Sequence, residues 1–215
     1  MIRNILFDLD GTIVDSKEGI LNSVCYALEK MGREIPDKKE LLCFIGPPLS
    51  YSFSTFCGMN EEETEKAVAF YRENYAPRGV FEFSVYPGVE TMLKKLSSGG
   101  RRLYLATSKP EVFAKEILEK AGLASYFTAI CGSLIPSGRD KKEDVISYLV
   151  EKEALALEET VMVGDRSYDA EGAHAVGLVA IGVSYGYGTV KELNRAGCEA
   201  VASSPKDVAA IIQRV

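Results

Sequence analysis

The sequence predicts an α/β fold: a Rossmann-like parallel sheet with helices on both faces, plus an inserted α-helical domain. Three observations predict it. Short apolar or β-branched runs alternate with stripes of helical period. Each run is apolar along most of its length, as a strand covered on both faces must be. The alternation breaks once, over residues 16–84, where helical patterns follow one another with no convincing strand.

Taken in order, Ile5–Phe7 is the first candidate strand. A helix follows with Asp15 or Ser16 as N-cap, an apolar stripe of Ile20, Val24, Leu28 and Met31, and Gly32 as its stop. Gly46, Pro47 and Pro48, inside Phe44–Leu49, interrupt two helical patterns and fix a rigid turn. Residues Glu61–Tyr75 carry Ala67, Val68, Phe70 and Tyr71 on an amphipathic helix. Beyond a hinge near Ser84–Gly88, the stripe of Val89, Met92, Leu93 and Leu96 ends at Gly99 and Gly100. Leu103–Ala106 is the second strand. Phe113, Ile117, Leu118 and Ala121 mark the next helix, closed by Gly122 at the C′ position. Ala129–Cys131, Val161–Val163 and Val179–Val183 complete the strands, and Pro205 opens a last helix that buries Val208, Ile211 and Ile212. The expected division is an α/β core of residues 1–15 and 85–215 and a helical domain of residues 16–84, with the first hinge at Asp15–Ser16.

With 215 residues the chain is long enough for a sizeable core plus an inserted lobe. A net charge of −6 argues against a nucleic-acid polymer as partner, since that surface needs a basic stripe. It leaves room for a small anionic substrate, because a local site can invert the global sign. Cys25, Cys43, Cys57, Cys131 and Cys198 show no CxxC spacing and read as reduced thiols. No apolar run is long enough to be a signal-peptide core or to span a bilayer, so a cytoplasmic protein without a membrane partner is expected, as monomer or homodimer.

The chemistry gathers where the strands end. Asp8, Asp10, Gly11 and Thr12 follow the first strand, Thr107, Ser108 and Lys109 the second, and Gly164, Asp165 and Asp169 the fourth. In an open α/β sheet these ends share one edge, where ligands bind. Clustered carboxylates repel unless a cation sits among them, and a set of oxygen donors without Cys or His suits Mg2+ better than zinc or copper. If Asp8-Leu9-Asp10 stays extended, both acids share a side while Leu9 points into apolar packing. Asp8 is then placed to attack phosphorus, and Asp10 to protonate the leaving alcohol and later deprotonate water. A hydroxyl from Thr107 and a lysine ammonium would stabilise the equatorial oxygens.

These segments resemble the haloacid-dehalogenase-like phosphohydrolases over essentially the whole chain. Asp8 through Thr12 is similar to their DxDGT motif, Leu103 through Thr107 to their second motif, and Gly164-Asp165 through Asp169 to GDxxxD. The resemblance implies Asp8 as nucleophile and Asp10 as acid/base. It implies Mg2+ held by the side chains of Asp8 and Asp165 and the carbonyl of Asp10, with Asp169 supporting the metal's waters or the lysine. It makes residues 16–84 a mobile cap, in which a loop at Gly46 and Pro47 helps select substrate. For the third-motif lysine, Lys142 in Lys142-Glu143-Asp144-Val145-Ile146 is expected, with Lys141 second; Thr12, Ser108 and Lys109 are expected to touch the substrate. The implied activity is a magnesium-dependent phosphatase acting on a small phosphorylated metabolite, like phosphoglycolate phosphatases or 5'-nucleotidases. The alternatives are a phosphomutase of the β-phosphoglucomutase type and a non-catalytic phosphometabolite-binding module. His174, the sole histidine, reads as a helix-surface or packing residue, and Tyr185 and Tyr187 as architectural.

Overall fold

The computed structural model describes residues 1–135 and 138–214. Six strands form one parallel sheet: β1 (Asn4–Phe7), β4 (Arg102–Pro110), β5 (Ala129–Ser133), β6 (Thr160–Gly164), β7 (Val179–Val183) and β8 (Ala200–Ala202), in the order β5-β4-β1-β6-β7-β8. The expected α/β architecture is the one found. The chain winds from β1 through β4 to β5, then returns to β6 on the other side of β1. The strand order therefore reverses at β1, which is where open α/β sheets open a crevice beyond their carboxyl ends.

Register here is pinned by polar groups as well as apolar ones. Asn4 is buried opposite both Arg102 and Thr160; its Nδ2 donates to Thr160 Oγ1 at 3.1 Å, and its Oδ1 accepts from Arg102 Nε at 3.1 Å. A one-residue slip would bury these groups without partners. Leu6, Tyr104 and Met162, on three adjacent strands, face one apolar cluster with Val145 and Ile146 of α6 (Lys142–Lys152) and Ala170 of α7 (Ser167–Val176).

Contacts divide the chain into two units, Met1–Asp15 with Val85–Val215, and Ser16–Ser84. Short strands β2 (Val14–Asp15) and β3 (Ser84–Val85) lie where the chain leaves the first unit and where it re-enters. The second unit is built from α1 (Lys17–Lys30), α2 (Leu49–Cys57) and α3 (Glu61–Tyr75), with 3-10 turns at Glu40–Phe44 and Gly79–Phe81. Asn60 and Glu63 form a reciprocal cap at the start of α3: Glu63 N donates to Asn60 Oδ1 at 3.0 Å and Asn60 N to Glu63 Oε2 at 3.1 Å, worth about 1 kcal/mol. Gly19 of α1 lies against the Gly79 carbonyl, a place that a Cβ would fill.

The first unit is completed by α4 (Val89–Ser98), α5 (Glu111–Lys120), α8 (Val190–Arg195) and α9 (Pro205–Ile212). Three differences from the sequence reading stand out. β4 runs on to Pro110, β8 is an additional strand, and Ser84, at the end of the stretch read as helical, is extended. β8 escapes the sequence because Ala200–Ala202 offers three residues and one β-branched side chain, too little for a periodic signal.

Candidate active site

β1 stops at Phe7 because the next residues are turned by backbone bonds rather than paired: Ile13 N and Val14 N both donate to Leu9 O, at 2.9 and 3.0 Å. Gly11 makes this turn with φ +88°, and a Cβ there would also overlap Asp165. Leu9 is fully buried. Asp8 N donates to Val163 O at 2.9 Å, so the first acid is tied to the strand that ends in Gly164 and Asp165.

Asp8, Asp165 and Asp169 are all buried, and each offers a carboxylate oxygen within 4.8 Å of the others. Lys142, the first residue of α6, reaches this cluster: its Nζ lies 2.7 Å from Asp8 Oδ1, 2.8 Å from Asp169 Oδ1 and 3.2 Å from the Ala106 carbonyl. Lys141, one residue earlier, is 73% exposed at its side chain and faces Glu143 instead. Asp169 is fixed from the other side, where Arg166 N donates to its Oδ2 at 3.0 Å. Asp165 Oδ2 accepts from Tyr187 N at 2.7 Å, while its buried Oδ1 has no hydrogen-bond partner.

Three carboxylates against one ammonium leave an excess of two negative charges in a buried place. The electrostatics follow. Burial, opposed by Lys142 and reinforced by Asp169 and Asp10, pushes Asp8 up to about 6. Burial, with Asp169 and Asp8 beside it, raises Asp165 well above its ordinary value. Burial alone would favour a neutral Lys142, yet Asp169 and Asp8 together outweigh it and raise its pKa. An orphaned buried oxygen, an all-oxygen donor set and a surplus of two charges fit a divalent cation.

Asp10 is held differently. Its carboxylate meets Lys109 Nζ at 2.9 Å from Oδ1 and 2.8 Å from Oδ2, and both side chains are buried. Thr107 is buried at the same edge, its Oγ1 accepting from Lys109 N at 3.2 Å. Ser108 lends its carbonyl to the Ser133 hydroxyl at 2.9 Å. Thr12 Oγ1 is buried without a hydrogen-bond partner, and the Thr12 carbonyl accepts from Tyr185 OH at 3.0 Å. Gly46 and Pro47 belong to the helical unit, Gly46 with φ +112°. His174 is exposed on α7.

Sequence reasoning read Tyr185 and Tyr187 as architectural and passed over Tyr86, Gly172 and Gly186. Gly172 of α7 faces the stem of Lys142, where a Cβ would come within 2.8 Å of its Cγ. Gly186 and Gly188 lie against Asp165, each in a place that a Cβ would fill. Tyr187 OH donates to Asp15 at 2.8 Å, and the rings of Tyr86 and Tyr185 meet edge to face at 5.2 Å. The run Tyr185-Gly186-Tyr187-Gly188 could have signalled a close backbone approach, because alternate glycines are costly elsewhere.

Residues 5–183 match the family described as haloacid dehalogenase-like hydrolase. The chain belongs to that family. It is therefore an enzyme of hydrolase class. It is 44% identical over 190 residues to a 5'-nucleotidase of Pseudomonas aeruginosa, covering 88% of this chain and 86% of that one. It is 36% identical over 184 residues to the tyrosine-protein kinase PtkA of Mycobacterium tuberculosis, covering 86% of this chain and 62% of that one. Among solved structures it superposes on a predicted phosphatase from Clostridium acetobutylicum with a TM-score of 0.98 and 41% identity over the whole of both chains. Among the described residues no helix is long and apolar enough to cross a membrane.

Proposed function

We propose that this chain, a phosphatase of haloacid dehalogenase-like type, hydrolyses a small phosphorylated metabolite with Mg2+ through an aspartyl phosphate on Asp8. The observation that carries the reading is the meeting of Asp8, Asp165 and Asp169 around one lysine at the sheet's carboxyl edge. Asp8 and Asp165 would hold the cation through their side chains, Asp10 through its carbonyl, and Asp169 would support the cation's waters and Lys142. When bound, the cation supplies the positive charge that three crowded carboxylates and a phosphoryl group lack.

An Asp8 carboxylate oxygen forms a bond to phosphorus while the bond from phosphorus to the leaving oxygen breaks. Asp10 gives its proton to that oxygen. A water then loses a proton to the Asp10 carboxylate and attacks phosphorus, which releases phosphate and regenerates Asp8. Lys142 and Thr107 offer charge and a hydroxyl to the equatorial oxygens. The unit of residues 16–84 acts in this reading as a cap, with Gly46 and Pro47 in its selecting loop. Replacing both by Ala is expected to change the ranking of metabolites by kcat/KM; an unchanged ranking removes the loop from specificity.

The test is phosphate release from phosphoglycolate, nucleoside monophosphates, a phosphotyrosyl peptide and an aryl phosphate, with magnesium and with chelator. Asp8→Asn is expected to lower turnover by about four orders of magnitude or more while circular dichroism stays unchanged. Retained turnover in that variant rejects covalent catalysis by Asp8. An isomeric sugar phosphate in place of free phosphate would make the enzyme a mutase, and no magnesium-dependent turnover by the wild type would leave a binding module.

A further inference from the structure

Between β7 and α8 tyrosine and glycine alternate, Tyr185-Gly186-Tyr187-Gly188, and nothing in the reaction above uses this run. Gly186 and Gly188 lie against Asp165 in places that a Cβ would fill, so the backbone passes close over the acid. A residue flanked by two glycines has wide conformational freedom unless its own side chain is held. Here the tyrosines supply the hold. The Tyr185 hydroxyl donates to the Thr12 carbonyl at 3.0 Å, and its ring meets the Tyr86 ring edge to face at 5.2 Å. The Tyr187 hydroxyl donates to Asp15 Oδ1 at 2.8 Å, and the Tyr86 side chain hydrogen-bonds to that of Tyr187. Tyr86 N in turn donates to Ile13 O at 3.2 Å. Tyr187 is thus held at two ends. Its hydroxyl sits on Asp15, the last residue before the chain leaves this unit, and its N–H donates to Asp165 Oδ2 at 2.7 Å. That N–H occupies one oxygen of Asp165 and leaves Oδ1 buried without a hydrogen-bond partner.

We propose that Tyr187 is a positioning residue for the divalent cation: anchored on Asp15 by its hydroxyl, it holds Asp165 by its N–H in the orientation that leaves one oxygen for the ion. This rests on the reading of the acid cluster as a cation site and on none of the phosphate chemistry. A tyrosine side chain is a rigid ring on few rotatable bonds, so pinning its hydroxyl restricts where the amide of the same residue points. With the hydroxyl gone, the flanking glycines let residue 187 turn, and the N–H leaves Asp165 for part of the time. A carboxylate that must be reoriented before it can take a metal binds that metal more weakly, which is why outer partners of metal ligands matter. Because Tyr187 reaches the acid through its backbone, Tyr187→Phe keeps the N–H and removes only what anchors it. The link runs both ways: whatever factor the anchor on Asp15 lends to cation affinity, the cation lends to the anchor.

The experiment follows urea unfolding of the full chain at increasing magnesium. The midpoint in chelator reads metal-free stability, and its rise with magnesium reads the Kd. Tyr187→Phe is expected to raise that Kd by about 10-fold, the size usual for an outer partner of a metal ligand. Asp15→Ala breaks the same hydrogen bond from the other end and is expected to act in the same direction. Asp15→Asn keeps an oxygen that accepts from the Tyr187 hydroxyl, and its Kd is expected to stay within about 3-fold of wild type. The double variant Tyr187→Phe/Asp15→Ala is expected to bind no more weakly than Tyr187→Phe alone, since the bond is already gone. A tyrosine that serves packing only would lower the midpoint in chelator and leave the Kd where it was. Unchanged affinity in Tyr187→Phe therefore overturns the inference, and so do additive losses in the double variant. Asp15→Asn losing as much as Asp15→Ala overturns it too, because charge at residue 15 would then be acting in place of the hydrogen bond. Failure of magnesium to protect the wild type overturns the cation reading itself, a result seen before any variant is made.

Discussion

Asp8 and Asp10 lie two residues apart in the chain, yet they sit in opposite electrostatic situations. Asp8 shares one ammonium with Asp169 and faces Asp165, so its neighbourhood carries surplus negative charge. Both oxygens of Asp10 meet Lys109, a pair that is balanced as it stands. The difference teaches that burial alone does not mark a metal site. The mark is burial with the charges left unbalanced; it singles out Asp8, Asp165 and Asp169, and in the proposed reading it leaves the Asp10 side chain for proton chemistry.

The sharpest way to break this comparison is to remove one acid from each neighbourhood and measure urea unfolding in chelator. Asp10→Ala removes a carboxylate that meets a buried ammonium through both oxygens and is expected to destabilise the fold by about 3 kcal/mol. Asp165→Asn relieves like-charge crowding and is expected to stabilise the metal-free fold by about 1 kcal/mol, while abolishing the protection that magnesium gives the wild type. Equal signs for the two variants would show that the neighbourhoods do not differ as described.

Proton linkage offers a second test. The Asp8 carboxyl stands at about 6 in the fold against 3.8 as its ordinary value. Between those values the folded state binds more protons at Asp8 than the unfolded state, so the contribution of this group to stability falls as pH rises from about 4 through 6 and levels off above. The drop from this group is up to about 3 kcal/mol, and it should be absent in Asp8→Asn. Magnesium prefers the ionised cluster, so in excess magnesium the protection it gives should grow over the same pH range. Denaturation midpoints at pH 4.5 to 7.5, with chelator and with magnesium, read both slopes.

The acids and the strands that lead to them were legible because each is a local signal. Ile5–Phe7 and Val161–Val163 are apolar runs that end in carboxylates, and a parallel sheet brings such ends to one edge. What each acid meets there was legible only for Lys142, and that through the resemblance of Lys142–Ile146 to a family motif. The difference between Lys142 and Lys141 depends on which of two adjacent lysines opens α6 toward the sheet, and one backbone step turns one inward and the other into solvent. The Lys109 pairing depends on a register shift between two strands, which no single segment encodes. β8 was missed for want of length, and the helical unit's finer turns for want of a strong period.

The narrowest expected effect concerns Gly172, and it sharpens the comparison because it acts on one lysine only. The glycine lets α7 pass close to α6, against the Lys142 stem. An Ala Cβ would come within 2.8 Å of Lys142 Cγ, 3.0 Å of its Cβ and 3.1 Å of the Glu143 backbone nitrogen, at the root of a side chain whose ammonium is held by Asp8 and Asp169. Gly172→Ala is therefore expected to cost about 2 kcal/mol, within the range of overpacking. The displaced ammonium should neutralise Asp8 less well, so the pH at which metal-free stability levels off should move upward. Denaturation midpoints in chelator over pH 4.5 to 7.5 read that move, and an unchanged profile would mean that Gly172 does not position the Lys142 ammonium.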